Sequence, residues 1–300
     1  MAGQGNLILG MASGYAAKDL RPFVQSLAMT GFRGRLVLFV YSGQRTSIRD
    51  MVNACAPALD LDLVVIDGIR KYAKLWRSCF KRLFELMPAE SFPGLKRRML
   101  RFQGMPHVTR YFHYQDYLAR HDGYTHVLLS DVRDVVFQDD PFRDLGTGLH
   151  VGMETDTLTI ATEPFDRDWI MDAYGEAMLQ RIGGCQISCS GVTLGDAASV
   201  KTYVAQILEE AMSFPFKKMK TRIYDQAFHN KLLHCSQLGP TRLCQPLQSM
   251  IATVGCLTES QFSLSADGRL LNEDGQAAPI VHQYDRHPLL VHAFEARILV

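Results

Sequence analysis

The sequence predicts an α/β domain with an open, mainly parallel central sheet, and three observations carry that expectation. Short apolar runs alternate with segments of helical spacing, the pattern of successive βαβ units. The runs are continuous, not alternating with polar residues, as in strands covered on both faces. One of them, His126 to Leu129, leads straight to two carboxylates, Asp131 and Asp134. In open α/β sheets the carboxyl ends of the strands are where ligands bind.

The elements follow in order. Asn6 to Ala12 reads as the first strand, closing on Ser13-Gly14-Tyr15. Leu20, Phe23, Val24 and Leu27 recur at helical spacing, so a helix is expected from Leu20 to Met29, stopped by Gly31 and Gly34. Arg35 to Tyr41 is a second strand, Ile48 to Ala56 a helix and Leu61 to Ile66 a third strand. Val108 to Arg120 is a helix rich in aromatics (Tyr111, Phe112, Tyr114, Tyr117). The acidic strand comes next, then a short apolar run, Val135 to Phe137, and a loop opened by Pro141-Phe142. His150 to Met153 is a strand, Ala197 to Met212 and Asp225 to Leu233 are helices, and Ile280 to Tyr284 is a last short strand. With no internal repeat and no linker, one Rossmann-like domain over residues 1–300 is expected.

Composition narrows the function classes. The net charge of +1 gives no global field for nucleic acid. No apolar window approaches the ~18 residues of a membrane span, and the run Leu7 to Gly10 is too short for a signal peptide, so a cytoplasmic location is expected. The seven cysteines include no Cys-x-x-Cys pair and are read as reduced. Residues 69–101 depart from the average, with ten Lys or Arg against only Glu85 and Glu90. The plainer reading is a solvated helix face; the functional one is a surface for anionic lipid head groups or an acidic acceptor. Lys217, Lys218, Lys220 and Arg222 carry the same two readings.

Four motifs stand in a particular order. They are Ser130-Asp131-Val132-Arg133-Asp134, then Ser188-Cys189-Ser190-Gly191-Val192, then Asp225-Gln226 opening a helix, and finally Val281-His282-Gln283-Tyr284-Asp285-Arg286-His287. Acids at a strand tip suit a divalent cation that itself holds a phosphate. Asp134 is the first choice as metal ligand, Asp131 a second ligand or ribose contact, and His282 would complete the set, imidazole suiting manganese better than magnesium. Arg286 could grip a diphosphate with its planar fork, and Arg110 and Arg133 are further candidates for the nucleotide. Each has a plainer role: a turn aspartate, a core histidine, an Arg286–Asp285 ion pair, or Asp225 as a helix cap.

The ordered combination resembles the nucleotide-sugar-dependent glycosyltransferases of the GT-A fold, and within them the glycogenin-like group and related bacterial sugar transferases. The resemblance covers roughly residues 6 to 290. It implies a nucleotide-binding half over 6–145, with 69–101 as a basic helical insertion, and an acceptor-side half over 146–300. It implies a UDP- or GDP-sugar donor, Mn2+ or Mg2+ as cofactor, and a glycan or lipid-linked acceptor, with peripheral contact to an anionic membrane through 69–101. Ser190 and Gly191 would line the donor site, in a small loop, and Asp225 and Gln226 would meet the reacting sugar. Retention of anomeric configuration is the implied outcome; in an inverting reaction Asp225 or Glu154 would serve as base.

In the related pattern an acid stands where this chain has Val132, and Asn often stands at Cys189. Val132 is what favours the rival expectation, a non-catalytic scaffold that binds a nucleotide or carbohydrate. A metal-dependent nucleotidyltransferase is a third. A dinucleotide oxidoreductase fits poorly, since Asn6 to Gly14 holds only Gly10 and Gly14.

Overall fold

The computed structural model describes residues 4–67, 93–103, 106–143, 145–214 and 224–299. Its strands are β1 Gln4–Met11, β2 Arg35–Val40, β3 Asp60–Val65, β4 Tyr124–Ser130, β5 Val135–Phe137, β6 Leu149–Met153, β7 Ser188–Asp196, β8 Thr241–Cys244, β9 Ile251–Thr253, β10 Ser263–Leu264, β11 Leu270–Leu271 and β12 Ile280–His282. Its helices are α1 Ala17–Met29, α2 Arg45–Cys55, α3 Pro93–Gln103, α4 Pro106–Arg120, α5 Pro164–Tyr174, α6 Glu176–Ile182, α7 Ala197–Ser213, α8 Asp225–His234 and α9 Pro288–Ile298.

The main sheet has seven strands in the order β3-β2-β1-β4-β7-β6-β8. All run the same way except β7, which is antiparallel to both neighbours. The expected mainly parallel α/β sheet is therefore present, and strands from 146–300 continue the sheet begun by 4–130. From β1 the chain winds outward to β2 and β3, then returns to place β4 on the other side of β1. The strand order reverses there, and the crevice at such a point is the usual ligand site of an open α/β sheet.

Alternation along β1 and β2 divides the core. Leu7, Leu9, Val37 and Phe39 face Tyr111 and Tyr114 of α4 and Val204 of α7. Ile8, Leu36 and Leu38 face Leu20, Phe23, Val24 and Leu27, the predicted stripe of α1. A second sheet, β5-β12-β9, lies beside the first, with β12 antiparallel to β5 and parallel to β9. Its other face packs on Leu290 and Phe294 of α9.

The segment Ser188-Cys189-Ser190-Gly191, expected in a small loop, is instead the start of β7. Its run of small and polar residues has none of the apolar bulk that marks a strand, yet it is buried from Ser188 through Gly195. Crowding explains the composition: a Cβ on Gly195 would lie 2.4 Å from the Gly148 carbonyl oxygen. Elements α5, α6, β8, β9 and α9 also go beyond the expected set. The basic residues 69–92 and Lys217, Lys218, Lys220 and Arg222 lie outside the described residues. Among the described residues no helix is long and apolar enough to cross a membrane.

Candidate functional site

The crevice at the ends of β1 and β4 is built around the acidic turn. Asp131 follows β4 directly, and its N–H donates to the Gly191 carbonyl on β7 at 2.7 Å, which fixes the chain as it leaves the sheet. Val132 then turns into the core, 1% exposed. It occupies the space above Gly10, where a Cβ would meet its Cγ1 at 2.3 Å. Position 132 therefore packs the sheet, while Asp131 and Asp134 flank it on the outside. The chain bends through 132–134 and is tied down again where the Gln283 N–H donates to the Asp134 carbonyl at 2.7 Å.

That bond brings in the end of β12. His282 is 1% exposed, with Nε2 at 3.7 Å from an Asp131 oxygen and 3.9 Å from an Asp134 oxygen. One ligand atom from each of Asp131, Asp134 and His282 lies within 4.8 Å of the others. Among the described residues, neither ring nitrogen of His282 has a hydrogen-bond partner. Gly191 forms the floor, where a Cβ would come within 2.4 Å of the His282 ring and 2.6 Å of Asp131 Oδ2. Two hard oxygens and an imidazole, gathered this closely, fit a divalent cation, manganese better than magnesium.

The charges agree with that fit. Burial opposes ionisation of Asp131, but Arg110 and then His282 hold it well below the usual carboxylate range. Asp134 is raised, chiefly by burial; His282 opposes, while Asp131 and Asp285 add to the rise. Burial works against a charge on His282, yet the Cys189 sulfur, Asp131 and Asp134 raise it well above an ordinary histidine.

Arg110 on α4 lies behind the acids. Its guanidinium donates to Asp131 at 2.5 Å, to Asp225 at 2.7 Å and to the Ser190 carbonyl at 3.2 Å, and its side chain is 5% exposed. Arg110, a candidate for the nucleotide, holds and positions Asp131. Asp225 opens α8 but makes no cap; it is 1% exposed, accepts from Arg110 and from Ser190 Oγ at 3.1 Å, and leaves Oδ1 without a partner. Gln226 Nε2 donates to both oxygens of Asp166 on α5 at 3.0 and 3.1 Å. Burial pushes Asp166 up to about 8, with Gln226 opposing and Glu154 and Glu163 adding. Glu154, just past β6, accepts from the Cys256 thiol at 3.2 Å.

At the rim, Arg133 pairs with Asp285 at 3.0 Å. Arg286 therefore does not have that carboxylate, and among the described residues it makes no ion pair; its side chain lies over Gly255. Tyr15, just past β1 and 36% exposed, is raised by burial and by the negative charge of Asp131.

The fold thus gathers Asp131, Asp134, His282, Gly191, Ser190, Arg110 and Asp225 into one network, with Gln226 behind and Arg133 and Arg286 at the edge. Asp166 and Tyr15 are additions. Tyr15 shares the strand-tip signal that marks Asp131, whereas nothing local distinguishes Asp166. Gln283 is a third addition: it is 6% exposed and left-handed, with φ 63°, an unusual backbone that tightens the turn after His282. No protein-family model matches this chain, and no curated protein matches it.

Proposed function

We propose that this protein is a metal-dependent glycosyltransferase of GT-A type, moving a sugar from a UDP or GDP donor to an acceptor hydroxyl of a polysaccharide, glycolipid or other glycan. The observation that carries this reading is the meeting of Asp131, Asp134 and His282 at the point where the strand order reverses. Val132 is the sequence argument for a non-catalytic scaffold, and its place in the core, with Asp131 outside, weakens that argument.

Asp131, Asp134 and His282 would hold the cation. Bound there, Mn2+ or Mg2+ neutralises charge that builds on the departing diphosphate. Arg110 keeps Asp131 ionised and aimed. Arg286, which makes no ion pair among the described residues, has N–H donors for the phosphate oxygens. Asp225 Oδ1, buried and without a partner among the described residues, would accept from the reacting sugar only if the crevice opens to it, with Gln226 and Asp166 behind. Burial raises Asp166 and so favours its protonated form, with Gln226 opposing. Tyr15 offers an aromatic face at the mouth of the crevice. Retention of configuration is the outcome the resemblance implies.

The location we propose is cytoplasmic, peripheral to an anionic membrane. Its described basic residues differ in availability. Lys96 is buried and donates to the Met212 carbonyl, Arg97 lies 5.2 Å over the Phe112 ring, and Arg98 is exposed.

Calorimetric titration with UDP and GDP, with and without manganese, tests the reading. Tight binding of one of them that disappears with EDTA and in Asp134→Ala supports it. A folded sample that binds neither would overturn it.

A further inference from the structure

A polar groove of about 660 Å³ lies at the other end of β12 from the metal centre. Pro279, which lines it, immediately precedes β12, while His282 ends that strand. Three residue steps of extended chain separate the two, or about 10 Å. The volume falls within the range of small-molecule sites, about 300–1,000 Å³.

The chemistry of the groove is that of an anion receptor. Arg143, Arg242 and Arg269 line it, against Asp139 and Asp274. Asp139 accepts from only one nitrogen of Arg143, at 2.6 Å. Arg269 donates through Nε to Asp267, which is outside the groove, at 2.8 Å, leaving both terminal nitrogens available. Arg242 has no ion pair or hydrogen bond through its side chain among the described residues. A guanidinium carries five N–H donors in a fixed fork that matches carboxylate or phosphate.

The second observation is His150. It is the register partner of Arg242 on the neighbouring strand, so the two side chains project to the same face. His150 lines the groove, is 6% exposed, and has a buried Nδ1 without a partner. A buried polar atom left unpaired calls for an explanation. Burial, and then the charge of Arg242, keep this imidazole neutral, so it can donate one hydrogen bond and accept another.

We propose that this groove is a second ligand site, for the phosphate or carboxylate group of a small polar anion, independent of the metal centre. Arg242 is the primary anchor, with Arg143 and Arg269 closing on the same group and His150 supporting it from the sheet.

The test is calorimetric titration of the full chain, in EDTA, with inorganic phosphate, with glucuronate and with neutral glucose. Heat from phosphate alone assigns a phosphate ester, heat from glucuronate alone a uronic acid, and heat from both a general oxyanion site; each supports the proposal. Arg242→Gln, on an exposed edge strand, should weaken that binding about tenfold, as loss of a charged hydrogen bond predicts. Asp134→Ala should leave it unchanged, which separates this site from the proposed metal centre. No heat from either anion at millimolar concentration, equal heat from glucose, undiminished binding in Arg242→Gln, or loss in Asp134→Ala would each overturn the proposal.

Discussion

Asp131 and Asp134 at the end of β4, and Asp225 and Asp166 at the starts of α8 and α5, are the same side chain in two settings. Asp225 is answered by Arg110 and Ser190, and Asp166 by Gln226. Among the described residues Asp134 has no such partner: His282 lies 3.9 Å away, and burial raises the pKa of the carboxyl. Asp225 and Asp166 are held by side-chain donors, although Asp225 Oδ1 keeps no partner among the described residues, whereas Asp134 lies with Asp131 and His282 in a group that could hold a cation. The difference teaches that burial alone does not mark a site; a buried acid that no side-chain donor reaches, set beside other ligand atoms, does. Keeping Asp134 in that state costs stability, as functional sites often do.

That contrast can be broken experimentally. The largest expected effect is on metal binding. Asp134→Ala should lower manganese affinity by more than about a hundredfold in calorimetry, since even outer partners of metal ligands cost 10–100-fold. The same variant in EDTA should be at least as thermostable as the native chain, because an unfavourably buried carboxylate is gone. A clear drop in its melting temperature would show that Asp134 is held by favourable bonds, as Asp225 is.

Arg110→Met should behave oppositely. It strands Asp225 in the core, and breaking a buried pair costs about 3–5 kcal/mol, or a melting temperature lower by about 10 °C. Normal stability in Arg110→Met would show that Asp225 does not depend on its partner.

Gly191→Ala sharpens the comparison by steric means. The added methyl lies within 2.6 Å of both Asp131 Oδ2 and His282 Nε2, so manganese affinity should fall by about tenfold or more while the Asp225 network stays intact. Titration with manganese, together with a thermal melt, reads both sides.

The smallest effect concerns pH. His229 on α8 is fully buried, with Tyr203 at Nδ1 and Ser188 at Nε2, both at 2.8 Å. Burial, more than the charges of His234 and Arg110, lowers its pKa from 6.5 to about 3. The unfolded chain binds this proton first, so the contribution of neutral His229 is complete above 6.5 and declines as pH falls toward 3. Denaturant melts across that window should show the decline, and His229→Gln should flatten it; an unchanged slope in the variant would count against this assignment.

Legibility in the sequence followed the physics of each segment. The stripe Leu20, Phe23, Val24 and Leu27 and the runs of β1 to β4 were readable because apolar spacing reports burial directly. Strand β7 was not, because its small residues answer to the closeness of neighbouring chains, which no local pattern records. The acids of the candidate site stood out by their place at a strand end. Arg110 was a candidate, but its bonds to Asp131 and Asp225 were not legible, and Asp166 and Tyr15 come from segments far from the acids in sequence.

The sequence by itself determined the α/β alternation, the acidic turn after β4 and the separate histidine near the carboxyl end, since those depend on residue type and short-range spacing. Only the tertiary structure decided that Val132 turns inward over Gly10, that Arg110 binds Asp131 and Asp225 from behind, and that His282 meets both acids across Gly191. Such contacts join residues as far apart as 134 and 282, and their geometry is set by strand order and register.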